Sequence, residues 1–104
     1  MPRIVGDVGA ARVAMKILYF ALLRDITHKK EEDWQQPEAT LGNLLHDLVA
    51  RYGHEFERWV LKDGDLWNLV IILVNGHDVR GMQNLKTPLS PNDTVVIFPP
   101  LGGG

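Results

Sequence analysis

The sequence predicts a single α+β domain in which a mixed sheet of about five strands packs against one main helix. Short runs rich in β-forming residues lie near both ends of the chain, and one long amphipathic helical pattern lies between them. The length of 104 residues is that of one domain. A hydrophobic content of 45% with 23% charged residues is ordinary for a globular protein.

The composition argues against several classes of function. The chain has no cysteine, which excludes disulfides and cysteine-ligated metals. The net charge is −2, and the basic pair at 29–30 is followed at once by three acidic residues, so we expect no nucleic-acid partner. No apolar run reaches transmembrane length, and residues 1–14 lack the apolar core of a signal peptide. We therefore expect a cytoplasmic protein without a membrane partner.

The N-terminal third is predicted to hold two strands. Residues 1–14 have no helical or strand period, so we expect a disordered extension before a folded domain at 15–104. Residues 15–23 are nearly all apolar and predict a central strand. Residues 31–35 predict a polar strand near a sheet edge, with Trp34 as its inward anchor.

The main helix is predicted to begin after Thr40 and to end before Gly53. Thr40 is a suitable N-cap and Gly53 a suitable residue to follow a helix. Its apolar side chains fall at helical spacing and form one stripe: Leu41, Leu44, Leu45, Leu48, Val49 and Tyr52. Residues 54–60 predict a short second helix.

The C-terminal third is predicted to contain three strands. Residues 69–74 form an apolar strand, and Asn75-Gly76 is a strong signal for a two-residue hairpin turn. A short strand around 78–80 follows, and residues 94–98 form the last strand. Two opening strands, a crossing helix and a mixed sheet in this order predict a β-grasp, the ubiquitin-like architecture.

Catalytic and metal-binding patterns are not evident in the sequence. There is no glycine-rich phosphate loop and no zinc-type spacing. The four histidines are scattered, and each is expected on the surface: His28, His46, His54 and His77. We therefore predict that the chain binds no metal and no cofactor of its own.

The glycine end is the candidate functional site. Pro99 and Pro100 lack an N–H and cannot continue a sheet, so they should end the last strand and start an extended segment. Such a segment from 99 to 104 can reach about 20 Å. A glycine-rich end is often only a disordered terminus, but the preceding strand and Phe-Pro-Pro favour a flexible tail that enters a partner. Its residues are Pro99, Pro100, Leu101, Gly102, Gly103 and Gly104.

The terminal carboxylate of Gly104 is the predicted reactive group. It is ionised at neutral pH, and an anion repels nucleophiles, so it must first be activated. Joining it to AMP creates a leaving group that a sulfur donor or an amine can displace. Because the chain shows no nucleotide site, another protein must supply ATP and bind the tail.

Three segments resemble the MoaD/ThiS family of ubiquitin-like sulfur carriers, and the likeness is greatest to the small subunit of molybdopterin synthase. They are 16–25 (Lys-Ile-Leu-Tyr-Phe-Ala-Leu-Leu-Arg-Asp), Val74-Asn75-Gly76, and 92–104 with its Phe-Pro-Pro and terminal glycines. Two positions depart from the family pattern. Asn92 stands where glycine is usual, and Gly102 stands where another small residue is common.

The resemblance implies that Gly104 is adenylylated and then converted to a thiocarboxylate that donates sulfur in molybdenum cofactor biosynthesis. It implies two partners, an E1-like adenylyltransferase and the synthase large subunit, with this chain as a non-catalytic carrier. Phe20 and Phe98 match positions that face these partners, and core packing is the alternative for both. The long connection at 53–68 favours the molybdopterin type.

Three other functions remain open from the sequence. A ubiquitin-like protein modifier would use the same activated tail to form isopeptide bonds with lysine amines. A sulfur carrier for thiamine or tungsten-cofactor synthesis would differ only in the synthase that it binds. A plain interaction domain would have an inert tail.

Overall fold

The computed structural model describes residues 14–100 of the chain. Its main sheet has five strands in the order β2-β1-β7-β5-β6, and a separate two-stranded hairpin is formed by β3 and β4. The strands are β1 (Met15–Tyr19), β2 (Glu31–Trp34), β3 (Leu61–Lys62), β4 (Asp65–Leu66), β5 (Ile71–Val74), β6 (His77–Asp78) and β7 (Thr94–Phe98). β1 and β7 are parallel and the other pairs antiparallel. This confirms the predicted mixed β-grasp sheet.

Three helices accompany the sheet. They are α1 (Leu22–Thr27), α2 (Leu41–Tyr52) and α3 (His54–Val60). The predicted bounds of α2 and α3 are confirmed. The Thr40 hydroxyl accepts a hydrogen bond from the N–H of Asn43 at 3.2 Å and caps α2, while Gly53 follows it with φ 85°. None of the helices in residues 14–100 combines the length and the hydrophobicity that a membrane span requires.

The core lies between one face of the sheet and the helices. Burial alternates along β1 and β7, so that every second side chain enters the core. From α2 four leucines are buried, and from α3 Phe56 and Val60 are buried. Trp34 of the edge strand β2 is only 3% exposed, which confirms it as the inward anchor.

The first strand is shorter than predicted. It ends at Tyr19 rather than at residue 23, and α1 begins at Leu22. The reversal takes place at Ala21, which adopts φ 52°. A continuous apolar run is compatible with either strand or helix, so the sequence of residues 17–23 gives no local signal for the end of the strand.

Smaller differences occur after α3. The β3–β4 hairpin, which is closed by a turn at Asp63-Gly64, was not predicted. β5 begins at Ile71 rather than at residue 69, and the segment Val79–Gly81 is a 3₁₀ turn rather than part of a strand.

The predicted turn at Asn75-Gly76 is confirmed, with φ values of 52° and 86°. The Asn75 side chain also fastens the start of β7, since it donates to Asp93 and accepts from the N–H of Thr94, both at 2.9 Å. Asn92 adopts φ 76°. Asparagine therefore takes the left-handed conformation that the usual glycine would supply.

Candidate functional site

The tail begins at the end of a central strand. β7 lies between β1 and β5 and ends at Phe98. Pro99 is buried and Pro100 half-buried, so the root of the tail packs against the domain up to the last described residue. The remaining tail residues, Leu101 to Gly104, lie outside the described part. The predicted extended tail is therefore described only at its root.

Two stacked phenylalanine rings lie beside the root of the tail. Phe20 and Phe98 are both half-buried, and their rings stack with centroids 4.5 Å apart and an interplanar angle of 25°. The guanidinium carbon of Arg24 lies 4.8 Å from the centroid of the Phe20 ring. The structure thus places both predicted partner-facing residues together, at the point where the tail leaves the sheet.

The turn between β1 and α1 positions Phe20. The carbonyl of Phe20 accepts from the N–H of Leu23 at 3.1 Å, and that of Ala21 accepts from the N–H of Arg24 at 3.0 Å. Arg24 Nε then donates to the carbonyl of Tyr19 at 2.8 Å, which ties α1 to the end of β1. The Phe20 ring is consequently held by a short closed loop rather than by a mobile strand end.

We call the side of the sheet that faces away from the helices the open face. The side chains that alternate with the core residues of β1, β5 and β7 lie there, and they are mostly apolar: Leu18, Phe20, Ile71, Leu73, Val96 and Phe98. Ile71 is 46% exposed, and Leu69 just before β5 is 47% exposed. A contiguous exposed apolar surface of this kind is typical of a protein-binding site.

The β2 edge of the open face is charged. Glu31 and Asp33 of β2 are exposed, and Lys16 Nζ lies 3.2 Å and 3.4 Å from their carboxylates. The hydrogen bond to Glu31 and the charge of Asp33 raise the pKa of Lys16. The open face is therefore mostly apolar over β1, β7 and β5 and charged along its β2 edge.

A buried carboxylate lies on the opposite, helix-covered side. Glu32 Oε1 accepts from the hydroxyls of Tyr19 at 2.7 Å and Tyr52 at 2.5 Å, while Oε2 accepts from Lys29 at 3.1 Å and Arg51 at 2.7 Å. Burial favours a raised pKa for Glu32, but the hydrogen bonds from Tyr52, Tyr19 and Lys29 outweigh it and lower the pKa. The donors around this carboxylate belong to the fold, so the cluster is a structural one.

A cavity of about 310 Å³ lies away from the tail. It is lined by Met15, Trp34 and Glu38, at the end of β1 opposite the tail root. Trp34 Nε1 donates to Glu38 at 2.8 Å, and burial raises the pKa of the Glu38 carboxyl. This cavity does not belong to the tail site.

Through the family resemblance the sequence pointed to Phe20 and Phe98, but it did not predict the rest of the open face. All four histidines are exposed, as predicted, and residues 14–100 contain no cluster of side chains that could hold a metal. Ile71, Leu73 and Arg24 were not singled out. A usable signal was present, because a strand that is apolar on both sides in a sheet with one helical layer must expose one of its sides.

The β-grasp sheet, with a glycine end leaving its central strand beside an apolar face, defines a ubiquitin-like protein. The model of the ThiS family matches residues 17–104. The chain therefore belongs to the ThiS family, whose members are ubiquitin-like sulfur carriers.

Three similar proteins give a more detailed comparison. The small archaeal modifier protein 3 of Haloferax volcanii is 32% identical over 91 residues, covering 86% of this chain and 98% of the relative. A chain in the crystal structure of the Amycolatopsis orientalis BexX/CysO complex is 26% identical with a TM-score of 0.75, covering 88% of this chain and 100% of the other.

The third is a Pyrococcus furiosus protein named as a candidate molybdopterin converting factor, subunit 1. It is 29% identical with a TM-score of 0.67, and the match covers 86% of this chain and 99% of the other. Taken together, these similarities define the chain as a sulfur carrier or ubiquitin-like modifier.

Proposed function

We propose that the carboxylate of Gly104 is the reactive group of this protein and that an E1-like adenylyltransferase activates it with ATP. A carboxylate oxygen attacks the α-phosphorus of ATP, pyrophosphate leaves, and an acyl-adenylate forms. A nucleophile then attacks the acyl carbon and expels AMP. Hydrosulfide yields a thiocarboxylate, whereas a lysine amine yields an isopeptide bond.

The observation that carries this proposal is the placement of the tail root. Pro99 follows β7 directly, and the stacked Phe20 and Phe98 lie beside it at the edge of an exposed apolar face. A partner that binds this face is in position to receive the adjoining tail. The family match also runs through Gly104. The adenylyltransferase binds the ATP. This chain is its protein substrate and carries the activated group on its tail.

A lysine amine is the acceptor that the comparisons favour. The relative from Haloferax volcanii is named a modifier protein, and the match spans nearly its whole length. In this function the tail is joined to other proteins. The open face then binds the enzymes that activate and transfer the tail, and it does not dock on a synthase subunit.

Sulfur delivery in molybdenum cofactor biosynthesis is the second candidate. It is supported by the name of the Pyrococcus furiosus neighbour and by the long connection at 53–68, which folds into α3 and the β3–β4 hairpin. In this function the thiocarboxylate is carried into the large subunit of molybdopterin synthase, and the open face docks on that subunit.

Intact mass spectrometry tests the proposal. The full chain is incubated with ATP and the adenylyltransferase of its organism, with sulfide in one reaction and Nα-acetyl-lysine in another. We expect the replacement of one oxygen by sulfur in the first and one amide adduct in the second, both located at Gly104. A chain lacking Gly104 and a chain extended by one residue are matched controls that keep the fold.

An experiment in cells distinguishes the two acceptors. Conjugates that disappear when Gly104 is deleted would establish the modifier, and loss of molybdoenzyme activity in the same strain would establish the sulfur carrier. An unchanged mass with an enzyme that activates another carrier would refute the proposal.

A further inference from the structure

Two arginines border the tail end of the open face. Arg24 projects from α1, and Arg80 from the turn Val79–Gly81 after β6. Each is fixed by main-chain carbonyls. Arg24 Nε donates to Tyr19 at 2.8 Å, and the two terminal nitrogens of Arg80 donate to Val70 at 2.5 Å and to Trp67 at 2.7 Å. Both guanidinium groups are therefore held in place before any partner binds.

Within residues 14–100, neither arginine lies within ion-pair distance of a carboxylate. Among the other cations in this part of the chain, four have acidic partners (Lys16, Lys29, Arg51 and Arg58), whereas Lys30, Lys62 and Lys86 have none within ion-pair distance. Neutral carbonyls satisfy N–H groups but leave the full positive charge in place. Arg24 and Arg80 therefore bring positive charge without an acidic partner to the tail end of the open face, whereas Glu31 and Asp33 lie along its β2 edge, opposite Leu18 and Lys16.

The two charges bracket an apolar row. Phe98 stacks on Phe20 and is the cross-strand partner of Ile71, so the three side chains run from the turn after β1, across β7, to the start of β5. Arg24 lies over the Phe20 ring at one end. Arg80 reaches the residue before Ile71 at the other end. With adjacent strands about 4.8 Å apart, the row spans roughly 10 Å.

We propose that the adenylyltransferase that receives the tail carries carboxylates opposite Arg24 and Arg80, on either side of an apolar centre that covers Phe20, Phe98 and Ile71. This inference rests on the proposed function and specifies the chemistry of its partner. Covering the row removes water from both guanidinium groups, and a desolvated cation requires an opposite charge. Carboxylates match the fork of arginine, and the terminal nitrogens of Arg24 have no acceptor in the described residues.

A phosphate polymer fits this surface less well than an acidic protein does. The net charge of the chain is −2, and Glu31 and Asp33 lie on the same face. These carboxylates would repel a long polyanion, whereas a folded partner can place its own carboxylates at the two arginines alone.

Carrier-dependent ATP–pyrophosphate exchange by the adenylyltransferase of the same organism tests the inference. We compare the wild type with Arg24→Gln, Arg80→Gln and the double variant. Lys62→Gln is the control, because it removes one exposed charge from the β3–β4 hairpin. We expect each arginine variant to raise KM about tenfold with little change in kcat, because the lost pairs act in recognition. Lys62→Gln should leave both constants unchanged, and Arg24→Lys should give an intermediate KM because it keeps the charge but not the fork.

The outcomes separate this inference from the proposed function. A double variant that folds, as judged by circular dichroism, and keeps the wild-type KM would overturn the inference while adenylylation stands. A wild type that is not activated would refute the proposed function itself. If the glutamine variants do not fold, the wild-type KM must rise with NaCl concentration, and a salt-independent KM would overturn the inference. Retention of RNA by the wild type but not by the double variant would assign the arginines to phosphate and overturn it as well.

Discussion

The two faces of the sheet differ in the burial of their apolar side chains and in the partners of their charged groups. On the helix-covered face the carboxylate of Glu32 is 4% exposed and receives four hydrogen bonds from within the fold. On the open face Ile71 remains 46% exposed and Arg24 has no carboxylate partner in the described residues. The polar groups of the helix-covered face are hydrogen-bonded within the chain, while the open face presents apolar surface and an arginine that a partner protein can bind.

This difference separates stability from recognition within one strand. Ile97 and Phe98 are neighbours in β7, yet Ile97 is fully buried against the helices and Phe98 lies half-buried on the open face. Because side chains alternate along a strand, one element serves both purposes. Mutations at adjacent positions should therefore have separable effects.

The largest expected effect tests this separation directly. Ile97→Ala should lower the free energy of unfolding by about 4 kcal/mol, because it leaves a cavity in a packed core. Phe98→Ala should cost much less stability, since its ring is partly exposed, but it should raise the KM for adenylylation. Urea unfolding and the exchange assay, applied to both variants, measure the two quantities.

Equal losses of stability in the two variants would contradict the comparison. So would an Ile97→Ala protein that, while still folded, shows the same rise in KM as Phe98→Ala. Val95→Ala offers a second core variant in the same strand, since Val95 is also fully buried.

The elements that the sequence predicted well are those with local signals. The helical spacing of the leucines, the cap residues Thr40 and Gly53, and the turn at Asn75-Gly76 each act within a few residues. The expectation that Phe20 and Phe98 face partners came from the family resemblance rather than from local signals, and their stacking against each other was not predicted.

The features that the sequence did not predict depend on distant contacts. Glu32 was expected on a polar edge strand, but it is buried because Tyr19, Arg51 and Tyr52 converge on it from 13 to 20 positions away. The break at Ala21 requires a positive φ in a residue that does not favour it. The distribution of paired and unpaired arginines likewise becomes visible only in three dimensions.

The second prediction concerns the covered face. Glu32→Gln should lower the free energy of unfolding by about 2 kcal/mol at neutral pH, because charge-assisted hydrogen bonds to a buried carboxylate are lost. The folded protein has a lowered pKa for Glu32, so this stabilisation is present above the ordinary carboxyl pKa. It disappears as the pH falls through the folded value. The gap between the wild type and the variant should therefore close under acidic conditions.

Denaturant unfolding across a pH series measures this gap. The neighbouring Glu31→Gln is the matched control, because its side chain is 57% exposed on the other face of the same strand. A gap that stays constant down to acidic pH would show that Glu32 stabilises the fold through shape rather than charge.

The smallest expected effect lies in the helix that covers the sheet. Thr40→Ala removes the cap of α2 and should lower the free energy of unfolding by about 1 kcal/mol, whereas Thr40→Ser keeps the hydroxyl and should change it little. Thermal melts can resolve this difference. The KM for adenylylation should stay the same in both variants, because α2 packs on the face opposite the aromatic pair. A raised KM in a folded Thr40→Ala protein would mean that the covered face also takes part in recognition, and the division of labour between the two faces would fail.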